Sequence, residues 1–387
     1  MSGIVLSSAV RQNLLSLQNT AELLSTTQNR LASGKKVNSA LDNPTNYFTA
    51  QGLDNRASDI NNLLDGIGNG VQVLQAANTG LTSLQQLVDT AKSIANQVLQ
   101  TTTGYTSKST ATSTALPAAS TATNLVDGTA IKSGETLTIA ATGGGTATSF
   151  TFGATTSLSQ LNTALAGNNL TASLDSSNDL VLTTINDVAS STIGAITLGA
   201  AGSATFGAPT APTPDPNSQA TRASLVSQYN NIITQITTTS QDASFNGINL
   251  LNGDDLKLTF NETGKSTLTV TGVTYDAAGL GLALLTPGTD FRDNNSANAV
   301  IAKVTAASDQ LRSEASALGS NLSIVQIRQN FAKNLINVLQ TGSANLTLAD
   351  TNEEAANSQA LSTRQSIAVS ALALSNQSQQ SVLQLLR

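Results

Sequence analysis

Near the start of the chain apolar residues recur in alternating steps of three and four, through Val10, Leu14, Leu17, Ala21, Leu24 and Leu31, with Gln28 as an interruption. That is the heptad spacing of a helix packing along one seam. Near the end, Leu361, Ala368, Leu372, Val382 and Leu386 fall at or close to multiples of seven in a second helical stripe. Leu374 and Leu385 share that closing stretch, "LALSNQSQQSVLQLLR". A chain with a seam at each end must either pair the two ends or find partners elsewhere.

Between these ends the plan repeats in mirror order. "ASGKKVNSALDNPTNY" carries turn-forming Gly34, an Asn-Ser pair and Pro44, so the first helix is expected to stop near Ser33. An apolar stripe then runs through Ile60, Leu64, Ile67, Val71, Leu74, Leu81, Leu84, Val88, Ala91, Ala95 and Val98. A helix of about fifty residues would span roughly 75 Å. Downstream, Val300, Val304, Ala307, Leu311, Leu318, Leu322, Val325, Ala332, Leu335 and Leu339 form a matching stripe, with a break expected at Gly342 in "TGSANLTLADTNEE".

The middle differs. From Thr101 to Asn217 the chain is rich in Thr, Ser, Ala and Gly and closes on "GAPTAPTPDPN", where proline excludes helix. "ETLTIAAT", "TSFTFGA", "NLTASLD", "DLVLTTI" and "GAITLG" read as strands, and "SLSQLNTALAG" as a short amphipathic helix. Helical spacing returns at Leu225, Ile232 and Ile236, followed by an Asn246-Gly247 turn and a β-hairpin around Glu262 to Gly264. The fold expected is mainly α: long antiparallel coiled-coil helices from both chain ends, a β-hairpin, and a small α+β outer insert domain. The divisions expected are 1–42 and 346–387 as the halves of an inner helical domain, 43–104 as the long helix of a core domain, 105–217 as the insert, and 218–345 as the core domain's short helix, hairpin and long return helix.

Composition narrows the function. The chain has no His and no Cys, and 11% of its residues are charged, for a net charge of −6. Thiol nucleophiles, most zinc sites and an imidazole base are therefore excluded, and no convergent titratable groups suggest an enzyme, a cofactor or a metal. There is no basic surface for nucleic acid. No stretch approaches the roughly 18 apolar residues of a membrane insertion, and "MSGIVLSSAVRQNLL" lacks a secretory signal, so export is expected by another route. "GIGNG", inside a helical stripe, reads as close helix packing rather than a phosphate loop. "GGG" at Gly143 to Gly145 reads as a hairpin turn and Asp254-Asp255 as a solvated turn, while Gln28 is either a register-setting residue or a tolerated interruption.

The chain resembles bacterial flagellin. Arg30, Leu31, Ser33, Gly34, Asn38, Ser39, Ala40 and Asp42 fall on that family's RLSSG and NSA-D positions, and Ala371, Asn376, Gln377, Gln380, Val382, Leu383, Leu385 and Leu386 on its closing segment. The resemblance covers about the first hundred residues and the chain from about Ser218 onward. It departs at "DNPTNY", in placing the insert before the short helix rather than after the hairpin, and at Gln86 and Val88, where receptor-stimulating members carry arginines. It implies a structural subunit that polymerises into the extracellular flagellar filament. Val10, Leu14, Leu17, Leu24, Leu31, Leu372, Leu374, Val382, Leu385 and Leu386 would lie at subunit contacts, and Met1 to Ala40 and Asn352 to Arg387 would be mobile before assembly. The partners implied are further copies of the chain, junction and cap proteins, an export chaperone and the flagellar type III export apparatus. The alternatives are a hook-filament junction protein or another secreted coiled-coil surface protein.

Overall fold

The computed structural model describes residues 8–385, with side chains described through Ser381 apart from Gln379. Six helices carry the fold: α1 Ser8–Ser33, α2 Pro44–Gln100, α3 Leu158–Leu165, α4 Pro216–Asp242, α5 Asn294–Thr347 and α6 Thr351–Leu385. The strands are β1 Tyr105–Ser107, β2 Thr110–Thr112, β3 Thr136–Ile139, β4 Thr148–Thr151, β5 Leu170–Leu174, β6 Leu180–Thr184, β7 Ile196–Leu198, β8 Thr213–Pro214, β9 Leu256–Thr259 and β10 Thr267–Val270. The 57 residues of α2 amount to roughly 85 Å of helix. The long N-terminal helices pack against the C-terminal ones, α1 on α6 and α2 on α5.

Local chemistry sets the helix starts. Asn43 caps α2, its Oδ1 accepting from the Asn46 amide at 3.0 Å, and Asp215 caps α4, accepting from the Asn217 amide at 3.3 Å. The next residue in each case is proline, Pro44 or Pro216, at the first helical position, where the missing N–H would have no acceptor. The expectation that proline excludes helix therefore fails at the last two residues of "GAPTAPTPDPN", which open α4. Asp293 caps α5 reciprocally: it accepts from the Ser296 amide at 2.9 Å while its own amide donates to Ser296 Oγ at 3.2 Å. At the other end α5 runs through Gly342 to Thr347, later than the break expected from sequence. One helical glycine costs only about 1 kcal/mol, less than the surrounding seam contributes.

The chain divides into two compact units. The first holds α1, α2 through Val71, residues 257–268 and the chain from Ile324 onward. Its core joins Ala57 and Ile60 of α2 to Ala332, Ile336 and Leu339 of α5, with Leu53, Leu64 and Leu335 packed against them. A Cβ on Gly70 would stand 2.4 Å from Leu258 Cδ2, so the last glycine of "GIGNG" lets the hairpin leucine sit against the helix. The hairpin closes with the Phe260 amide donating to the Ser266 carbonyl at 2.8 Å, and Arg56 meets Glu262 at 2.8 Å.

The second unit runs from Gln72 to Leu256 and from Thr269 to Ser323. Leu74, Leu81, Leu84, Val88, Ala91, Ala95 and Val98 of α2 are buried, as are Val300, Val304, Ala307, Leu311 and Leu318 of α5. Gln85 Nε2 donates to Ser308 Oγ across these helices at 2.7 Å. Val88 is thus a core position, whereas Gln86 is exposed. On α4 the buried face includes Tyr229 and Ile233 beside Leu225 and Ile236, with Ile232 half-buried. The insert holds two three-stranded sheets, ordered β2-β6-β5 and β4-β3-β7 and antiparallel throughout, while β1 pairs with β8. Leu137, Ile139, Phe152, Leu161, Leu165 and Leu182 contribute to its core. The three consecutive glycines turn the chain between β3 and β4; Gly143 and Gly144 adopt φ +56 and +78. Asp254 and Asp255 are spent on turns, accepting from the amides of Asn249 and Gly272.

Candidate functional site

Of the residues singled out in the sequence, those described lie on α1, on α6 and in the two turns that follow α1 and precede α6. α1 ends at Gly34, whose φ of +69 is the left-handed conformation of a helix C-terminal cap. The emerging strand pairs with the chain between α5 and α6: the Lys36 amide donates to the Thr347 carbonyl at 2.7 Å and the Ala349 amide to the Gly34 carbonyl at 3.0 Å. Lys35 and Leu348 form an antiparallel bridge. Two breaks far apart in sequence are thus stitched through backbone into one elbow, which fixes where α1 ends and α6 begins.

Each half of the elbow is built from short polar side chains. Asp42 Oδ2 accepts from the Asn38 amide at 3.0 Å, the Ser39 amide at 2.9 Å and the Ser39 hydroxyl at 3.2 Å. The Ser39 and Asn38 amides hold this carboxyl below its ordinary pKa. Asn38 Nδ2 donates to the Lys35 carbonyl at 3.1 Å, and Ser33 Oγ accepts from the Lys35 amide at 3.2 Å. On the other half Asp350 caps α6 through the amides of Asn352, at 2.9 Å, and Glu353, at 3.3 Å. Glu353 and Glu354 in that first turn face the favourable end of the helix dipole. Arg30, in the last turn of α1, reaches Glu354 Oε1 at 3.3 Å.

Above the elbow the pairing is thin. α1 buries only Val10 and Thr27, and among described side chains of α6 only Glu354 is buried. Leu17, Leu24, Leu361 and Leu372 are half-buried. Leu14, Leu31 and Leu374 are exposed, as are Leu15, Leu23, Ile367 and Val369, which lie off the heptad seam. Leu374 keeps 70% of its surface in water. Asn376, Gln377 and Gln380 lie exposed on α6, distant in sequence from the elbow contacts. Val382 and Leu385 are on the α6 backbone but their side chains lie outside the described residues, and Leu386 lies outside them altogether. No described helix is long and apolar enough to cross a membrane.

A chain whose α1 and α6 pack as one pair, with apolar side chains left in water on both members, belongs to the class of mainly helical proteins in which helices from the two halves of the sequence pair. The bacterial flagellin N-terminal helical region matches residues 5–137, and the bacterial flagellin C-terminal helical region matches residues 301–386. The chain belongs to the bacterial flagellin family, a family of structural proteins rather than enzymes. Among relatives from Caulobacter vibrioides, Flagellin FljM is 33% identical over 165 residues, covering 42% of this chain and 59% of that protein. Flagellin FljO is 31% identical over 172 residues, covering 44% and 62%. Flagellin A of Rhizobium meliloti is 37% identical over 90 residues, 23% of each chain. The matches thus span about three fifths of the Caulobacter relatives' lengths.

Proposed function

We propose that this chain is the structural subunit of an extracellular flagellar filament, adding to further copies of itself to build the helical propeller of swimming motility. The observation that carries this reading is the unsatisfied pairing of α1 with α6. Among the described residues seven large apolar side chains on the two helices, Leu14, Leu15, Leu23, Leu31, Ile367, Val369 and Leu374, are exposed in the single chain. Covering such surface is worth about 25 cal/mol per Å², and a second copy offers complementary apolar surface. A contact between two different faces, repeated by a rotation that does not close, generates an open helical polymer.

In this reading the terminal helices form the inner layer, the stripes of α2 and α5 the next, and the Thr/Ser-rich insert faces solvent. Val10, Leu17, Leu24 and Leu372 complete the seam within a copy, while Leu14, Leu31, Leu374, Val382, Leu385 and Leu386 meet neighbours. Junction and cap proteins would occupy the filament ends. An export chaperone would shield the C-terminal helix before passage through the flagellar type III apparatus. The test is seeded growth: purified chain is added to filament seeds and elongation is followed by electron microscopy. Elongation is expected, and its loss is expected when Leu383 to Arg387 are removed. No growth of the intact chain on its own seeds would overturn the reading in favour of a junction protein.

A further inference from the structure

Three Asn-Gly steps occur in the chain, Asn69-Gly70, Asn246-Gly247 and Asn252-Gly253, and the fold gives each a different setting. Glycine has no Cβ, so its amide nitrogen can close on the side chain of the asparagine before it, an approach that other residues obstruct. Asn69-Gly70 lies inside α2, where the Gly70 amide is spent on the helix ladder and Gly70 is buried against Leu258. Asn252-Gly253 is held from both sides: the Asn252 and Asp254 amides each donate to the Asn249 carbonyl at 3.1 Å, and Asn252 pairs with Thr274. Asn246-Gly247 forms the tip of a turn without such cover. Both residues are exposed and left-handed, with φ of +51 and +80. Among the described residues neither the Asn246 side chain nor the Gly247 amide has a hydrogen-bond partner, and a Cβ at Gly247 would meet nothing within 4 Å. Two bonds between Phe245 and Ile248, at 3.0 and 3.1 Å, close the turn.

We propose that Asn246 is a site of spontaneous deamidation, by cyclisation on the Gly247 nitrogen. The modification is separate from the filament-subunit reading and needs neither partner nor enzyme. Opening this turn breaks two surface hydrogen bonds, whereas Asn69 requires α2 to open and Asn252 requires release from Thr274. In the open turn the Gly247 nitrogen gives up its proton to solvent base and bonds to Asn246 Cγ. The bond from Cγ to Nδ2 breaks, and the side-chain amide takes up a proton and leaves as ammonia. Water then adds to either carbonyl of the resulting succinimide ring and breaks that carbonyl's bond to the Gly247 nitrogen. Cleavage at Cγ leaves aspartate and cleavage at the main-chain carbon leaves isoaspartate; nothing is oxidised or reduced. Either product is ionised at neutral pH and adds a negative charge to a chain of net −6. Isoaspartate also inserts a methylene into the backbone, so Phe245 and Ile248 no longer stand in register. Asn249 Nδ2 donates to the Ser240 and Gln241 carbonyls at 2.8 and 2.9 Å, so the altered turn adjoins the contacts that close α4.

The experiment follows the three Asn-Gly steps side by side in the unchanged full chain. Folded protein is held in mildly alkaline buffer, with a parallel sample in denaturant, and each is digested at intervals and mapped by mass spectrometry. In the folded chain Asn246 should lose its amide about tenfold faster than Asn252 or Asn69, because its turn opens at the least cost. In denaturant the three rates should converge, since the dipeptide is the same at each. Methylation by a protein isoaspartyl methyltransferase should mark isoaspartate in the Asn246 peptide beside aspartate, as opening of the ring requires. Asn246→Gln, which would close a larger and slower ring, should abolish the mass gain in that peptide and leave the other two unchanged. If Asn252 or Asn69 reacts as fast as Asn246 in the folded chain, or Asn246 reacts only in denaturant, the turn is not the labile site. Aspartate without isoaspartate would show direct hydrolysis and overturn the ring route.

Discussion

The guanidinium of Arg30 lies 3.3 Å from the carboxylate of Glu354, across 324 residues of sequence, and ties the last turn of α1 to the first turn of α6. Glu354 is the more buried partner, so the pair sits at the edge of solvent rather than within a core. Arg30→Gln should therefore weaken the terminal pair by about 0.5 kcal/mol, an amount that shrinks as salt is added. Amide exchange in α1 and α6 should quicken, with exchange in the α2–α5 seam unchanged. Quickened exchange across both regions alike would show that Arg30 acts on global rather than local stability.

Hydrogen exchange on the unchanged free chain should already separate the terminal helices from the long seam of α2. Opening α1 and α6 exposes few buried side chains, chiefly Val10, Thr27 and Glu354, whereas opening α2 exposes a continuous apolar face. The terminal amides should exchange orders of magnitude faster than those of Leu81 to Val98 in the monomer and become protected in the polymer. Equal protection in the free chain would contradict the expected mobility of the ends.

Two glycines of α2 should respond oppositely to alanine. A Cβ at Gly66 meets nothing within 4 Å, whereas at Gly70 it meets the Leu258 side chain at 2.4 Å. Gly66→Ala should stabilise by about 0.5–1 kcal/mol through helix propensity. Gly70→Ala should destabilise by about 1–2 kcal/mol through overpacking. Chemical denaturation midpoints measure both.

Arg222 on α4 is 1% exposed, and its guanidinium donates to the Thr102 carbonyl at 2.8 Å, the Phe291 carbonyl at 2.8 Å and Asn294 Oδ1 at 3.2 Å. These acceptors lie just after α2 and at the start of α5, so one side chain ties three chain segments within the second unit. Arg222→Met keeps much of the volume and leaves two carbonyls unpaired. A loss of about 3 kcal/mol is expected, read as a lower melting temperature by calorimetry.

Acid should act on the insert through Asp127. Burial raises its pKa, but the Thr129 hydroxyl, the amides of Ala130 and Thr129 and the Ser120 hydroxyl outweigh that and hold it well below the ordinary value of 3.8. A depressed folded pKa means the stabilisation is complete above the unfolded value and is lost as pH falls through the folded one. The insert should therefore melt progressively lower as pH drops below about 4. Asp127→Asn should reduce that dependence while lowering the melting temperature at neutral pH. A pH slope unchanged by the substitution would remove Asp127 from the account.

Much of this protein was written locally. The seam through Leu81, Leu84, Val88, Ala91, Ala95 and Val98 is buried as its spacing indicates, because a continuous 3.6-residue period leaves a helix only one face to bury. The strands and the Ser157-capped helix of the insert follow equally from alternation and capping. The end motifs carried family membership in the same way, since Gly34, Asn38 and Asp42 build their turn from neighbours close in sequence. Tertiary structure decided what distant segments do to one another. That Thr347 would meet Lys36, that Glu354 would hold Arg30, and that Arg222 would sit buried among carbonyls depend on contacts between residues far apart in the chain. It also decided which leucines remain in water: Leu17 and Leu14 are alike in spacing, and the packing of α1 in the folded chain half-buries one and exposes the other.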